Sequence, residues 1–172
     1  MNEVFLSFLL GLIQGLTEFL PISSSAHLLF PTLLFGTDDL GLAFDIAAHA
    51  GTLVAVMYFF RTEIKLMIKS LISRNSAFNN SRKLANLLII ATIPIVIAGL
   101  FGKDSIESNR NSIASIAYMN LLFAGFLLFA YKYSSSSKSL IELTIAGAVF
   151  IGIFQVFALF PGASRSGTAM TA

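Results

Sequence analysis

The sequence predicts an all-α, polytopic integral membrane protein built around two re-entrant helical hairpins, arranged as an inverted-topology repeat whose second half is incomplete. Three observations carry that reading. Mean hydropathy is +0.82 with only 12% charged residues, too apolar for a surface that faces water. Three stretches are long and apolar enough to cross a hydrocarbon core of about 30 Å as helices. Two further apolar stretches each run into a proline followed by small polar residues.

In chain order, the first hairpin covers residues 4–35. The opening "MNEVFLSFLL" lacks the basic n-region of a signal peptide and carries Glu3, so it reads as mature structure. Proline has no amide donor and pushes the residue before it out of the α region, so Leu20, before Pro21, should end the first helix. A break at membrane depth is tolerated only where the freed backbone groups are buried in protein or face a wet cavity. The three spans are 42–60, 84–101 and 113–131, with Tyr58, Tyr118 and Tyr131 near their ends in place of any tryptophan. The second hairpin starts at Leu140, and Phe160, before Pro161, should end its first helix.

Charge orients this arrangement. Arg61, Lys65, Lys69, Arg74, Arg82 and Lys83 all fall between the first two spans, which places that loop in the cytoplasm. The first hairpin and the segment 102–112 are then extracytoplasmic, 132–139 is cytoplasmic, and the second hairpin enters from the opposite face. The basic residues therefore read as topology signals; with a net charge of only +2 and no basic stripe, no nucleic-acid partner is expected. With no cysteine, disulfide and thiolate chemistry are excluded.

The hairpins resemble each other. "GLIQGLTEFLPISSSA" (11–26) aligns with "GIFQVFALFPGASRSG" (152–167) when one residue is dropped before the proline. Opposed hairpins of similar sequence suggest inverted repeats, with a site near the midplane where the broken helices meet. Residues 1–139 form the first repeat and 140–172 the start of the second, within one membrane domain spanning 1–172. An offset of about 140 residues implies a two-repeat chain much longer than this one.

The polar residues at the breaks are candidates for chemistry. Gln14 and Glu18 lie four apart and share a helix face; a carboxylate at membrane depth normally has a partner or a cation, and these oxygen donors suit a hard ion, Mg²⁺ or Ca²⁺. Ser23 or Ser24 can cap the next helix, whose amides and dipole would then face an anion. His27, three residues beyond Ser24, could exchange a proton with that hydroxyl or with a phosphate oxygen, or simply bond to a neighbouring helix. At the second break Gly162 and Gly167 permit close backbone approach, Ser164, Ser166 and Thr168 supply hydroxyls, and Arg165, if buried, needs an anion such as phosphate. Asp45 and His49, also four apart, read better as a pair bonded across the bundle, with Gly51 and Thr52 letting another helix approach. Together these residues describe a pocket for a phosphorylated, lipid-borne substrate.

"QGLTEFLPISSSAH" and "PGASRSG" resemble the (E/Q)xxxE-serine-turn-histidine and PGxSRSG motifs of the undecaprenyl-diphosphate phosphatase family, the bacitracin-resistance proteins, and the likeness runs through all 172 residues. The resemblance implies a multi-pass enzyme of the bacterial inner membrane that removes the terminal phosphate of undecaprenyl diphosphate with a divalent cation, regenerating the carrier lipid for cell-wall synthesis. It implies a catalytic set of Glu18, Ser24, His27 and Arg165, substrate contacts from Ser23, Ser25, Gly162, Ser164, Arg165, Ser166 and Thr168, and metal ligands Gln14 and Glu18. Gln14 stands where an acidic residue is an option, so Glu18 bears the acidic role alone, and the family's final helices are absent. The site is expected to open to the extracytoplasmic side. Membrane lipids are expected partners and a homodimer is left open. Ser24 as nucleophile with His27 as base, and water activated by His27 and Glu18, are both open routes; a transporter or lipid flippase is the rival class, since inverted repeats with broken helices are common there.

Overall fold

A computed structural model describes residues 3–73, 75–108, 112–134 and 139–172. Arg74 and parts of the segments 102–112 and 132–139 lie outside the described residues, which contain helices and no strand. The order is α1 (Glu3–Thr17), α2 (Ser24–Phe35), α3 (Gly41–Phe59), α4 (Arg61–Ile72), α5 (Asn79–Ser108), α6 (Ile113–Tyr133), α7 (Ile145–Val156) and α8 (Arg165–Thr171). Helices α3 and α6, and a stretch from Ser76 to Asp104 that includes most of α5, are long and apolar enough to cross a membrane. They match the expected spans.

At Pro21 and Pro161 the helix ends earlier than the sequence reading placed it, whereas Pro31 and Pro94 lie inside α2 and α5. Helix α1 stops at Thr17, whose hydroxyl bonds back to the Ile13 carbonyl at 2.7 Å, and a turn carries the chain to Pro21. Helix α7 stops at Val156 and tightens into a 3₁₀ turn, Phe157–Leu159, before Phe160 turns extended. The physical reason is shared. The residue before a proline is pushed out of the α region, so each helix ends ahead of it, through a turn in one case and a 3₁₀ turn in the other.

The basic connector also differs from the expected loop. Residues 61–72 form α4, because Ile64, Met67, Ile68 and Leu71 recur at helical spacing and Glu63 lies in the first turn. At its end Arg82 donates to the carbonyls of Ser70, at 2.8 Å, and Ser73, tying α4 to the start of α5.

Interior packing is thin and local. Leu6, Leu10 and Leu28 bury the seam between α1 and α2, backed by Ile13, Leu40 and Phe44. Helix α7 lies closely along α5, where a Cβ on Gly152 would come within 2.4 Å of the Ala91 carbonyl oxygen. Most large apolar side chains stay exposed, as expected where lipid tails replace water as the solvent. Helix α3 buries no residue at all. The close helix approach expected at Gly51 and Thr52 is therefore not seen: no atom lies within 4 Å of a Cβ placed on Gly51.

The two breaks meet. Ser164 and Ser166 both donate their hydroxyls to the carbonyl of Leu20, at 3.3 and 2.8 Å. The Leu20 carbonyl, which also accepts from the Ile22 amide at 2.8 Å, thus ties the first break to side chains that follow the second.

Candidate functional site

The junction of the breaks floors a cavity of about 650 Å³, walled by α3, the later part of α5 and the turn before α8. Its chemistry centres on Glu18, which the turn after α1 brings to the cavity with only 12% of its side chain exposed. Oε2 accepts from the Ser24 hydroxyl at 2.6 Å and from the Gln14 amide at 2.9 Å. His49 Nε2 lies 3.5 Å from the same oxygen. Oε1 accepts from Arg165 Nη1 at 3.1 Å, a contact that joins residues 147 positions apart. One carboxylate therefore gathers a hydroxyl, an amide, an imidazole and a guanidinium from both ends of the chain.

Of the residues singled out from sequence, Glu18, Ser23, Ser24, Ser25, Asp45, His49, Ser164 and Arg165 line the cavity. Their roles are partly different from those expected. Ser23 occupies the N-cap position of α2 but its hydroxyl caps nothing; it pairs with Ser25 Oγ at 3.1 Å. Its φ of 57° makes it the single non-glycine residue at positive φ among the described residues. With Ser24 turned to Glu18, no side chain caps α2, and the first amides of that helix are left to the cavity end. Arg165 is not the buried guanidinium expected: its side chain is 58% exposed, and it is paired with Glu18 through one nitrogen.

Other expected contacts turn away from the cavity. Gly162, at φ +96°, is held against α6, where a Cβ would come within 2.4 Å of the Ile116 carbonyl oxygen; a helix backbone, not a ligand, demands the glycine. Thr168 is fully buried and donates to the Arg165 carbonyl at 2.9 Å, while Ser166 is spent on Leu20. Ser164 also caps α8 by accepting from the Gly167 amide. His27 does not line the cavity. Its Nδ1 bonds the Ser23 carbonyl at 2.9 Å, so that nitrogen carries the hydrogen, and its ring meets Phe30 edge-on.

His49 takes the place His27 was expected to fill. It is held by Nδ1, which donates to the Asp45 carbonyl at 2.7 Å, leaving Nε2 toward Glu18. Lys103, on the face of α5 that also carries Gly99 and Ile106, is a second cation on the cavity wall that the sequence reading missed. The signal for His49 was present in the sequence, since an ionisable residue inside a span is by default a candidate for function. Lys103 gave none, because it follows a span end where lysines are ordinary.

The donors also bear on a metal. Gln14 is fully buried and its Oε1 has no partner, leaving an oxygen acceptor beside a carboxylate and a hydroxyl. That set fits a hard cation sharing its remaining positions with a ligand's oxygens or water. A protein-only cage is a different matter: among the described residues no three His, Cys, Asp or Glu side chains gather for one.

Comparison with known proteins finds a family and close relatives in sequence. The family model "Bacitracin resistance protein BacA" matches residues 7–172. An undecaprenyl-diphosphatase of Alcanivorax borkumensis is 46% identical over 170 residues, which is 98% of this chain and 64% of that protein. One from Aliivibrio salmonicida is 44% identical over 172 residues, again 98% of this chain and 64% of the relative. A third, from Alteromonas mediterranea, is 45% identical over 166 residues, 95% of this chain and 62% of its own length. The chain thus spans less than two thirds of the length of these relatives.

Proposed function

The chain belongs to the bacitracin resistance protein BacA family, and on that footing we propose that the whole protein hydrolyses undecaprenyl diphosphate to undecaprenyl phosphate and inorganic phosphate. The lipid product is the carrier for cell-wall synthesis, and its regeneration would confer bacitracin resistance. The observation that carries the reading is the Glu18 carboxylate, which holds the Ser24 hydroxyl at 2.6 Å and Arg165 at 3.1 Å on its two oxygens.

Phosphoryl transfer needs little covalent help and much positioning and charge neutralisation. Ser24 Oγ attacks the terminal phosphorus while its proton passes to Glu18 Oε2; the bond to the bridging oxygen breaks, and undecaprenyl phosphate leaves with that oxygen. Glu18 passes that proton to the departing lipid phosphate, takes one from the water that attacks the phosphoserine, and returns it to Ser24 Oγ as that bond breaks and inorganic phosphate leaves. The 2.6 Å contact favours this route over direct attack by water, and it moves the role of base from His27 to Glu18. Arg165 has guanidinium donors to spare beyond the one on Glu18 and receives the terminal phosphate, while the amides at the start of α2 face the developing charge. A divalent cation, Mg²⁺ or Ca²⁺, held by Gln14 Oε1 and Glu18, would neutralise phosphate oxygens when bound.

The two helix-break-helix units are read as re-entrant hairpins of an inverted repeat, with the cavity near the bilayer midplane and open to the extracytoplasmic side of the inner membrane. What supports a shared site at the two breaks is their direct bonding through Leu20; the inversion rests on the charge pattern and the repeat in the sequence. Phosphate release from the lipid diphosphate by the detergent-solubilised whole protein tests the activity. Glu18→Gln and Arg165→Ala should each abolish it, and labelled substrate should leave a trapped phosphoserine at Ser24. Translocation of the lipid without phosphate release would sink the reading in favour of a flippase.

A further inference from the structure

Helix α4 lines no part of the cavity, and apart from Leu66 its exposed apolar side chains gather on one side. Ser70 is the buried residue, on the side held to α5 by Arg82, and that clamp fixes which faces turn outward. At 3.6 residues per turn, Ile68, Leu71 and Ile72 share a stripe, and they are 54%, 48% and 82% exposed. Arg61, Lys65 and Lys69, each four residues from the next, form a second exposed stripe beside it. Against these cations the helix carries a single carboxylate, Glu63.

What precedes α4 matters as much. Tyr58, Phe59 and Phe60 are all exposed where the membrane-length α3 ends, and the Arg61 guanidinium lies 4.6 Å from the Tyr58 ring centroid. Aromatic residues at a span end mark headgroup depth. With only Phe60 between the two helices, α4 begins at that depth.

We propose that α4 is an interfacial helix that seats on the bilayer and selects anionic phospholipids. Ile68, Leu71 and Ile72 dip to the acyl boundary, while Lys65, Lys69 and Arg61 reach headgroup phosphates, their apolar stems lying along the stripe. Charge complementarity names the headgroup: a cationic flank with a single opposing carboxylate gains from an anionic surface and little from a zwitterionic one. Continuity with the aromatic end of α3 names lipid rather than a protein as the occupant. The proposal does not depend on the phosphatase reading.

These 172 residues hold no cysteine, and any cysteine in the rest of the protein is first replaced by serine. An Ile72→Cys variant of the purified protein carries one fluorescent label in nanodiscs. Quenching by brominated acyl chains on phosphatidylglycerol is compared with quenching by the same chains on phosphatidylcholine, at equal mole fraction. Both should quench, the anionic lipid several-fold more. Adding Lys65→Gln and Lys69→Gln should bring the preference toward parity, by roughly fivefold per lysine at most. The Lys65→Arg, Lys69→Arg pair should retain it. A label that neither lipid quenches, or that both quench equally in the parent protein, overturns the proposal.

Discussion

Replacing Gly162 with alanine separates two explanations of that glycine. Its φ of +96° is one an L residue rarely adopts, at a cost of about 1–3 kcal/mol. The added Cβ would also lie 2.4 Å from the Ile116 carbonyl oxygen and 2.6 Å from its Cα. Those atoms are the backbone of α6 and cannot swing aside, so α6 and the turn must separate, at about 1–3 kcal/mol for overpacking. The sum, about 2–6 kcal/mol, corresponds to a fall of about 4–24 °C in Tm for a chain of this size. Thermal unfolding of detergent-solubilised Gly162→Ala protein measures it, alongside kcat and KM for the lipid diphosphate. Turnover should fall as well, because the shifted turn carries Arg165 away from Glu18. An unchanged Tm with a raised KM would refute the reasoning, and would mean that the glycine serves the ligand after all.

Three further outcomes follow from the cavity. His49→Ala should lower turnover at least tenfold while His27→Ala changes it less than threefold, because only the first ring lies beside Glu18; equal losses in a phosphate-release assay would contradict this. Lys103→Met should raise KM for the diphosphate about tenfold, the scale of one charge-assisted contact, and leave the affinity for the monophosphate product nearly unchanged in a competition assay. Gln14→Met keeps the buried volume but removes the unpartnered oxygen, so the cation concentration for half-maximal phosphate release should rise roughly tenfold; an unchanged midpoint would place the cation elsewhere.

Which parts of this site were legible in sequence follows from the range of the forces involved. Pro21 and Pro161 act on their own neighbours, so both breaks could be read, and the four-residue spacing of Gln14 and Glu18 put them on one face as the structure has them. The choice between His27 and His49 could not be made the same way. Spacing favoured His27 for its nearness to Ser24, but a short helix turn aims that ring at Phe30, while His49 reaches Glu18 from a separate helix. Ser164 reaches the cavity wall as read, while the Ser166 and Thr168 hydroxyls take backbone partners, at Leu20 and at Arg165, which spacing alone does not show. Helix α4 was hidden because its charges make it too polar to score as a span, although its apolar residues keep helical spacing.

The bond from Ser166 to the Leu20 carbonyl spans 146 positions, and that separation has a temporal side. At about 5–20 residues per second, ribosomal synthesis takes roughly 7–30 s to travel from one partner to the other. Through that interval the Leu20 carbonyl has the Ile22 amide, and Glu18 has Gln14, Ser24 and His49, but the serines and the arginine that complete both sets are not yet made. Water or a helper takes their places during insertion. A crosslinker placed at Leu20 in chains arrested before Pro161 would identify what stands in.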